Sequence, residues 1–180
     1  MERFSVAAMT VPSLTWFLYG FVRKEAVISS QIEGTQATLE DVVQFEATQI
    51  SECPDDVEEI CNYVAALEYA RREVRRPRGL PISSRLLAKV HEKLMRGVRG
   101  ADKQPGTIRT SQNWIGGTRP GNAVFVPPPP EEVQNALATL DQWIHARNEL
   151  PPLVRAGLAH VQFETIHPFL AGNGRIGRLL

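Results

Sequence analysis

The residues with the types and spacing to do chemistry lie between His160 and Leu180, in the run HVQFETIHPFLAGNGRIGRLL. An apolar helical pattern through Val161, Phe163 and Ile166 stops at His167-Pro168. A short turn follows, and Gly172-Asn173-Gly174 opens what reads as a second helix. Glycine permits positive φ and close backbone approach. Successive N–H groups in such a turn point into one concavity, and a helix start adds partial positive charge. Arg175 and Arg178, three apart, share a face there. Two guanidiniums beside backbone donors suit a polyphosphate better than a single carboxylate. His167 enters the same turn with the one side chain nearby that can take a proton near neutral pH. The residues point to phosphate-ester chemistry, with His167 as general base and the glycine turn as phosphate cradle. The competing reading is a structural helix–turn–helix corner, since a lone G-x-G is a weak signal. The base, the turn and two arginines within a dozen residues favour chemistry.

Other chemistries find less support. No Walker A pattern occurs, so a P-loop kinase or ATPase is not indicated. His160 and His167 stand about two helical turns apart with no acidic third ligand at a suitable spacing, which argues against zinc. The chain has 20 basic and 20 acidic residues in 180, a formal net charge of zero. That balance gives no bulk attraction to nucleic acid or an anionic membrane. Cys53 and Cys61 form neither a C-x-x-C pair nor a disulfide framework, which fits a reducing cytoplasm. Ser5 to Val22 carries no charge, but Thr10, Pro12, Ser13, Thr15 and Gly20 interrupt it. It therefore reads as a buried core helix starting near Pro12, not a membrane span.

The elements that must position these residues are mostly helical. Leu14 to Ile32 reads as a helix ended by Gly34. Thr35 or Thr38 caps a second helix to about Gln49, and Val57 to Arg75 is amphipathic through Ile60, Val64 and Leu67. Ser83 or Ser84 caps a helix with Leu86, Leu87, Val90, Leu94 and Met95 inward. From Gly97 to Pro130 the helical period vanishes. Within that stretch Thr110 to Ile115 and Ala123 to Val126 read as two short strands, joined by a turn over Gly116 to Asn122. Glu131 to Arg147 is again helical, and Pro151-Pro152 starts the helix leading to His167.

His167-Pro168-Phe169-x-x-Gly172-Asn173-Gly174-Arg175-x-x-Arg178 resembles the signature of the Fic family, HPFx(D/E)GNGRxxR. A second stretch, Ser29-Ser30-Gln31-Ile32-Glu33-Gly34, resembles that family's inhibitory motif, (S/T)xxxE(G/N). The resemblance implies an all-α fold: a Fic-type helical bundle with a small β-hairpin flap. It divides the chain into N-terminal helices over 1–50, carrying the inhibitory motif at 29–34, and a Fic core over 51–180. The flap spans about 110–126 and the catalytic motif 167–178. The family's core carries further helices after this point, so the resemblance also implies a chain truncated at its C-terminus.

The implied activity is transfer of AMP from ATP to a Ser, Thr or Tyr hydroxyl of a target protein. His167 would deprotonate the hydroxyl. Gly172, Asn173 and Gly174, with the amides of Ile176 and Gly177, would form the anion hole. Arg175 would hold the β-phosphate region, and Arg178 the γ-phosphate or Glu33. Glu33 paired with Arg178 would block productive ATP binding, with Ser29 and Gly34 completing that motif. The flap residues Ser111, Asn113, Trp114, Ile115 and Gly116 would dock the target as an added strand. A homodimer is compatible with the family, and neither membrane nor nucleic acid is expected as a partner.

Position 171 departs from the family pattern. Its members carry Asp or Glu there to hold Mg²⁺, and this chain has Ala171. No side-chain metal ligand is therefore expected, and Mg²⁺ would bind through phosphates and water. Two alternatives follow: a weakly active or non-catalytic nucleotide- or peptide-binding module, or an enzyme that removes AMP, with Glu33 positioning water.

Overall fold

The computed structural model describes residues 13–147 and 149–180, without the side chain of Leu14. The expected helix start near Pro12 lies outside the described residues. The chain divides into two compact units, residues 1–64 and 65–180, and each is described by itself.

In the first unit, α1 spans Leu14–Ile32 and α2 spans Leu39–Thr48. The Ser13 hydroxyl accepts from the Trp16 amide at 3.3 Å and caps α1. Thr38 and Asp41 form a reciprocal capping box at the start of α2. The two helices are tied by one polar cluster. Arg23 pairs with Glu46 through Nη2 at 2.7 Å and Nε at 2.8 Å, and the Tyr19 hydroxyl donates to Glu46 at 2.5 Å. The guanidinium also lies 3.4 Å from the Tyr19 ring centroid. Val22, Ala26, Val27 and Val42 are buried, as are Val57, Ile60 and Tyr63 at the start of α3, Pro54–Arg75.

The aromatic half of α1 corrects the expectation of a buried helix. Trp16, Phe17 and Phe21 are exposed, and Phe17 and Phe21 stack on each other. The buried stripe runs instead through Val22, Arg23, Ala26, Val27, Ser29 and Ser30. Among the described residues, no helix is long and apolar enough to cross a membrane.

The second unit holds the rest of α3, then α4 (Ser84–Leu94), α5 (Pro130–His145), α6 (Pro152–Ile166) and α7 (Asn173–Leu179). Ser83 caps α4, and the Ser84 amide and hydroxyl both donate to Asp141 of α5. Leu86, Leu87, Val90, Leu94 and Met95 are all buried, as their spacing predicts. Val133, Leu137 and Leu140 of α5, and Phe163, Ile166, Phe169 and Ile176 around the 167–178 segment, are buried with them in the core. Helix α6 packs on both α5 and α7.

The expected β-hairpin is not formed. A single antiparallel bridge joins Ile115 and Phe125, and no strand occurs among the described residues. Side chains take the backbone groups that a ladder would use. The Gln112 amide donates to the Pro127 and Asn113 carbonyls. Asn122 Oδ1 accepts from the amides of Thr118 and Arg119, which rolls the tip into a 3₁₀ turn at Pro120–Asn122. Gly116 and Gly117 both lie at positive φ, 70° and 68°, and bend the chain away from extended geometry straight after the bridge.

Candidate active site

Helix α6 ends at Ile166 because His167 turns left-handed, φ 48° and ψ 62°, and Pro168 cannot continue the helix. A non-glycine residue in this region is strained by about 1–2 kcal/mol, and a residue before proline ordinarily favours extended backbone. Hydrogen bonds on both sides hold it. The His167 amide donates to the Phe163 carbonyl at 2.9 Å. Its carbonyl accepts from Arg109 Nε at 2.9 Å and Asn113 Nδ2 at 3.2 Å. The imidazole is one-fifth exposed, and its Nδ1 lies 3.7 Å from Glu164 Oε2, one turn back on α6. At that distance the carboxylate faces the ring without a hydrogen bond to Nδ1 from this oxygen.

The turn after His167 is built on buried contacts. Phe169 is fully buried and stacks on His91 of α4, with ring centroids 3.9 Å apart and planes 2° apart. The Asn173 side chain latches the same residue: its Oδ1 accepts from the Phe169 amide at 2.9 Å, and its Nδ2 donates to the Phe169 carbonyl at 2.8 Å. Gly172 caps α7 at φ 75°. A Cβ there would stand 2.8 Å from the Met95 sulfur and 3.4 Å from His91 Nε2, so the position needs glycine for space as well as for conformation.

His91 is fully buried and bridges two loops. Its Nδ1 accepts from the Gly106 amide at 2.8 Å, so Nε2 carries the proton and donates to the Ala171 carbonyl at 2.9 Å. Burial pushes its pKa down to about 4, the Arg175 charge acts in the same direction, and the Ala171 bond opposes both. His91 is therefore neutral at pH 7.

The structure brings most of the expected residues together and redistributes their tasks. His167, Gly172, Asn173, Gly174, Arg175, Ile176, Gly177 and Arg178 lie on one loop and helix. Asn173 spends its side chain on Phe169. The Arg175 side chain is buried, with Nη2 3.2 Å from the Met95 sulfur, and Arg178 is half-buried. Gly177 is buried against Glu164 and His160. Ser111, Trp114, Ile115 and Gly116 lie in the 110–126 loop, with Trp114 and Ile115 exposed. Asn113 turns back onto the His167 loop. Ser29, Glu33 and Gly34 belong to the other unit: Ser29 is buried in α1, Glu33 is exposed at its C-cap, and Gly34 follows at φ 100°.

Position 171 does not fit a resident Mg²⁺. The Ala171 methyl offers no oxygen, and the carbonyl is engaged by His91. Among the described residues, no group of three or more His, Cys, Asp or Glu could hold a metal ion.

Three residues of the site escaped the sequence reading. His91 sits at helical spacing from Leu87 and Leu94, so its place on the apolar stripe was visible although its partners were not. Glu164 precedes His167 by three, which is also visible. Arg109 stands alone in an irregular segment and gives no local signal.

Comparison with known proteins places this geometry. Residues 1–72 match the family described as Fic/DOC family N-terminal, and residues 81–180 match the Fic/DOC family. A probable protein adenylyltransferase of Aquifex aeolicus is 33% identical over 99 residues, which is 55% of this chain and 28% of that protein. A protein adenylyltransferase of Drosophila grimshawi is 28% identical over 154 residues, 83% of this chain and 30% of that protein. The chain thus spans less than a third of the length of these relatives. The crystal structure of a Fic family protein from Desulfovibrio desulfuricans superposes with a TM-score of 0.75 at 30% identity, covering 99% of this chain and 51% of that one. The turn that follows His167 and the helices that hold it are those of the Fic/DOC family, to which this chain belongs.

Proposed function

We propose that this chain carries the transfer centre of a protein adenylyltransferase. The observation that carries the reading is the left-handed His167, with Nδ1 3.7 Å from Glu164 Oε2, five residues before the Gly172–Gly174 turn that opens α7. In the proposed step His167 Nε2 takes the proton of a target Ser, Thr or Tyr hydroxyl. The hydroxyl oxygen forms a bond to the α-phosphorus of ATP. The bond from that phosphorus to the bridging oxygen breaks, and pyrophosphate leaves with the electron pair. The protein's part is positioning and charge stabilisation. Backbone amides of the turn face the phosphates, and Arg178 takes the γ-phosphate. No step is routed through a metal.

The 111–116 segment presents the target, with exposed Trp114 and Ile115 as its apolar contacts. Glu33 restrains the reaction, a role supported by the S-x-x-x-E-G pattern.

Ala171 favours a second reading. Without an oxygen ligand at that position, the chain binds nucleotide and turns it over poorly, acting as a nucleotide-responsive module.

The test is transfer of label from α-labelled ATP to lysate proteins by the parent and Glu33→Gly chains, with nucleotide binding measured in parallel. Label transfer by Glu33→Gly well above the parent supports the adenylyltransferase. Binding without transfer in either chain supports the module. Absence of both sinks the two readings together.

A further inference from the structure

The strongest unused feature is the pair of side chains on the His167 carbonyl. Arg109 is only 1% exposed and is among the largest fully buried side chains of the described residues. Its guanidinium donates to four carbonyls: His167 at 2.9 Å, Ile166 at 3.3 Å, Ser111 at 3.2 Å and Pro128 at 2.6 Å. Its own amide donates to the Pro168 carbonyl at 2.9 Å. Two of those acceptors are the last carbonyls of α6, the negative end of the helix, where a cation is favoured. The other two are the roots of the 110–126 loop. Asn113 adds a second clamp: one Nδ2 donates to the His167 carbonyl at 3.2 Å and the Phe169 carbonyl at 3.1 Å.

These bonds fix the peptide plane after His167, and the Phe163 carbonyl fixes the one before it. With both planes held, the direction of the His167 Cα–Cβ bond is set. Arg109 alone could be a packing device. Asn113 makes that account insufficient, because it lies in the segment expected to dock the target and yet reaches the base.

We propose that Arg109 and Asn113 are positioning residues that hold His167 in its left-handed conformation and lock the docking loop in register with it. This rests on the adenylyltransferase reading for its catalytic consequence, though not for its geometry.

Two variants test it, Arg109→Lys, which keeps the charge and loses the fork, and Asn113→Ala, which adds none. Neither alters net charge, so a change at His167 reports geometry. The first readout is the ¹H–¹⁵N long-range spectrum of the four histidine rings at fixed pH. The proposal expects the His167 ring resonances to move by more than a line width in both variants, while those of His91 and His145 stay in place. Unmoved His167 resonances in either folded variant would overturn it. Should Arg109→Lys lose its dispersed spectrum, Asn113→Ala, a half-buried loop truncation, decides alone.

The second readout is AMP transfer in the Glu33→Gly background. The turnover should fall about 10- to 100-fold at an unchanged half-saturating ATP concentration, as expected for a misplaced base. Equal turnover would overturn the proposal. A Glu33→Gly parent that transfers nothing would instead remove the adenylyltransferase reading, and the ring resonances would still decide the positioning claim.

Discussion

His91 and Phe169 lie face to face, with centroids 3.9 Å apart and planes within 2°. This contact joins helix α4 to the loop that carries His167, and it is made between a neutral imidazole and a buried phenyl ring. Both imidazole nitrogens are also hydrogen-bonded, one to each of two loops. The loop bearing the Gly172–Gly174 turn is therefore held by a titratable group that is uncharged in the folded protein at pH 7.

That arrangement makes stability depend on pH with a definite sign. The folded value of His91, about 4, lies below the ordinary 6.5. Between those values the unfolded chain binds a proton that the folded chain refuses. The contribution of His91 is complete above pH 6.5 and is lost as pH falls toward 4, at up to about 1.4 kcal/mol per unit. Urea unfolding of the parent at pH 7.5 and 4.5 should show this loss, and His91→Gln should have a visibly flatter profile. Equal slopes for the two proteins would contradict it.

Asn173 offers an isosteric test of the latch. Replacing Nδ2 with a carboxylate oxygen in Asn173→Asp sets a buried oxygen against the Phe169 carbonyl, now 2.8 Å from a donor. Loss of a buried hydrogen bond with a new orphan group costs about 1–3 kcal/mol. Thermal melting should show a clear fall at pH 7. An unchanged midpoint would mean that the Asn173 side chain does not hold the loop.

Position 171 separates the two readings of function. Its side chain is half-buried, next to Gly172. Ala171→Asp leaves the Ala171 carbonyl bond to His91 available and adds one oxygen ligand. In the Glu33→Gly background it should raise the rate of AMP transfer in Mg²⁺ buffer at least tenfold if the missing carboxylate limits the chain. No change would show that the alanine is not what limits it.

Helix positions were legible because caps and apolar spacing carry them. Ser83, Thr38 and the Pro152 start stand where the pattern puts them. The family was legible because the residues of its signature are contiguous. The 110–126 loop reads as strands because short runs with β-branched and aromatic residues flank a glycine-rich turn, while Gln112, Asn113 and Asn122 divert the backbone bonds through their side chains. Arg109 was illegible for another reason. Its partners come from residues as far as 58 apart in sequence, and no local pattern encodes a bond to a helix end. The exposed aromatics of α1 were read as core because composition alone does not say which face is covered.

The role proposed for His167 is that of the base in an AMP transfer. The most direct measurement is intact mass of the Glu33→Gly and Glu33→Gly/His167→Ala proteins after incubation with ATP and a hydroxyl-bearing target. One AMP should be gained on target or chain with the first protein and none with the second. An equal gain with both would contradict it.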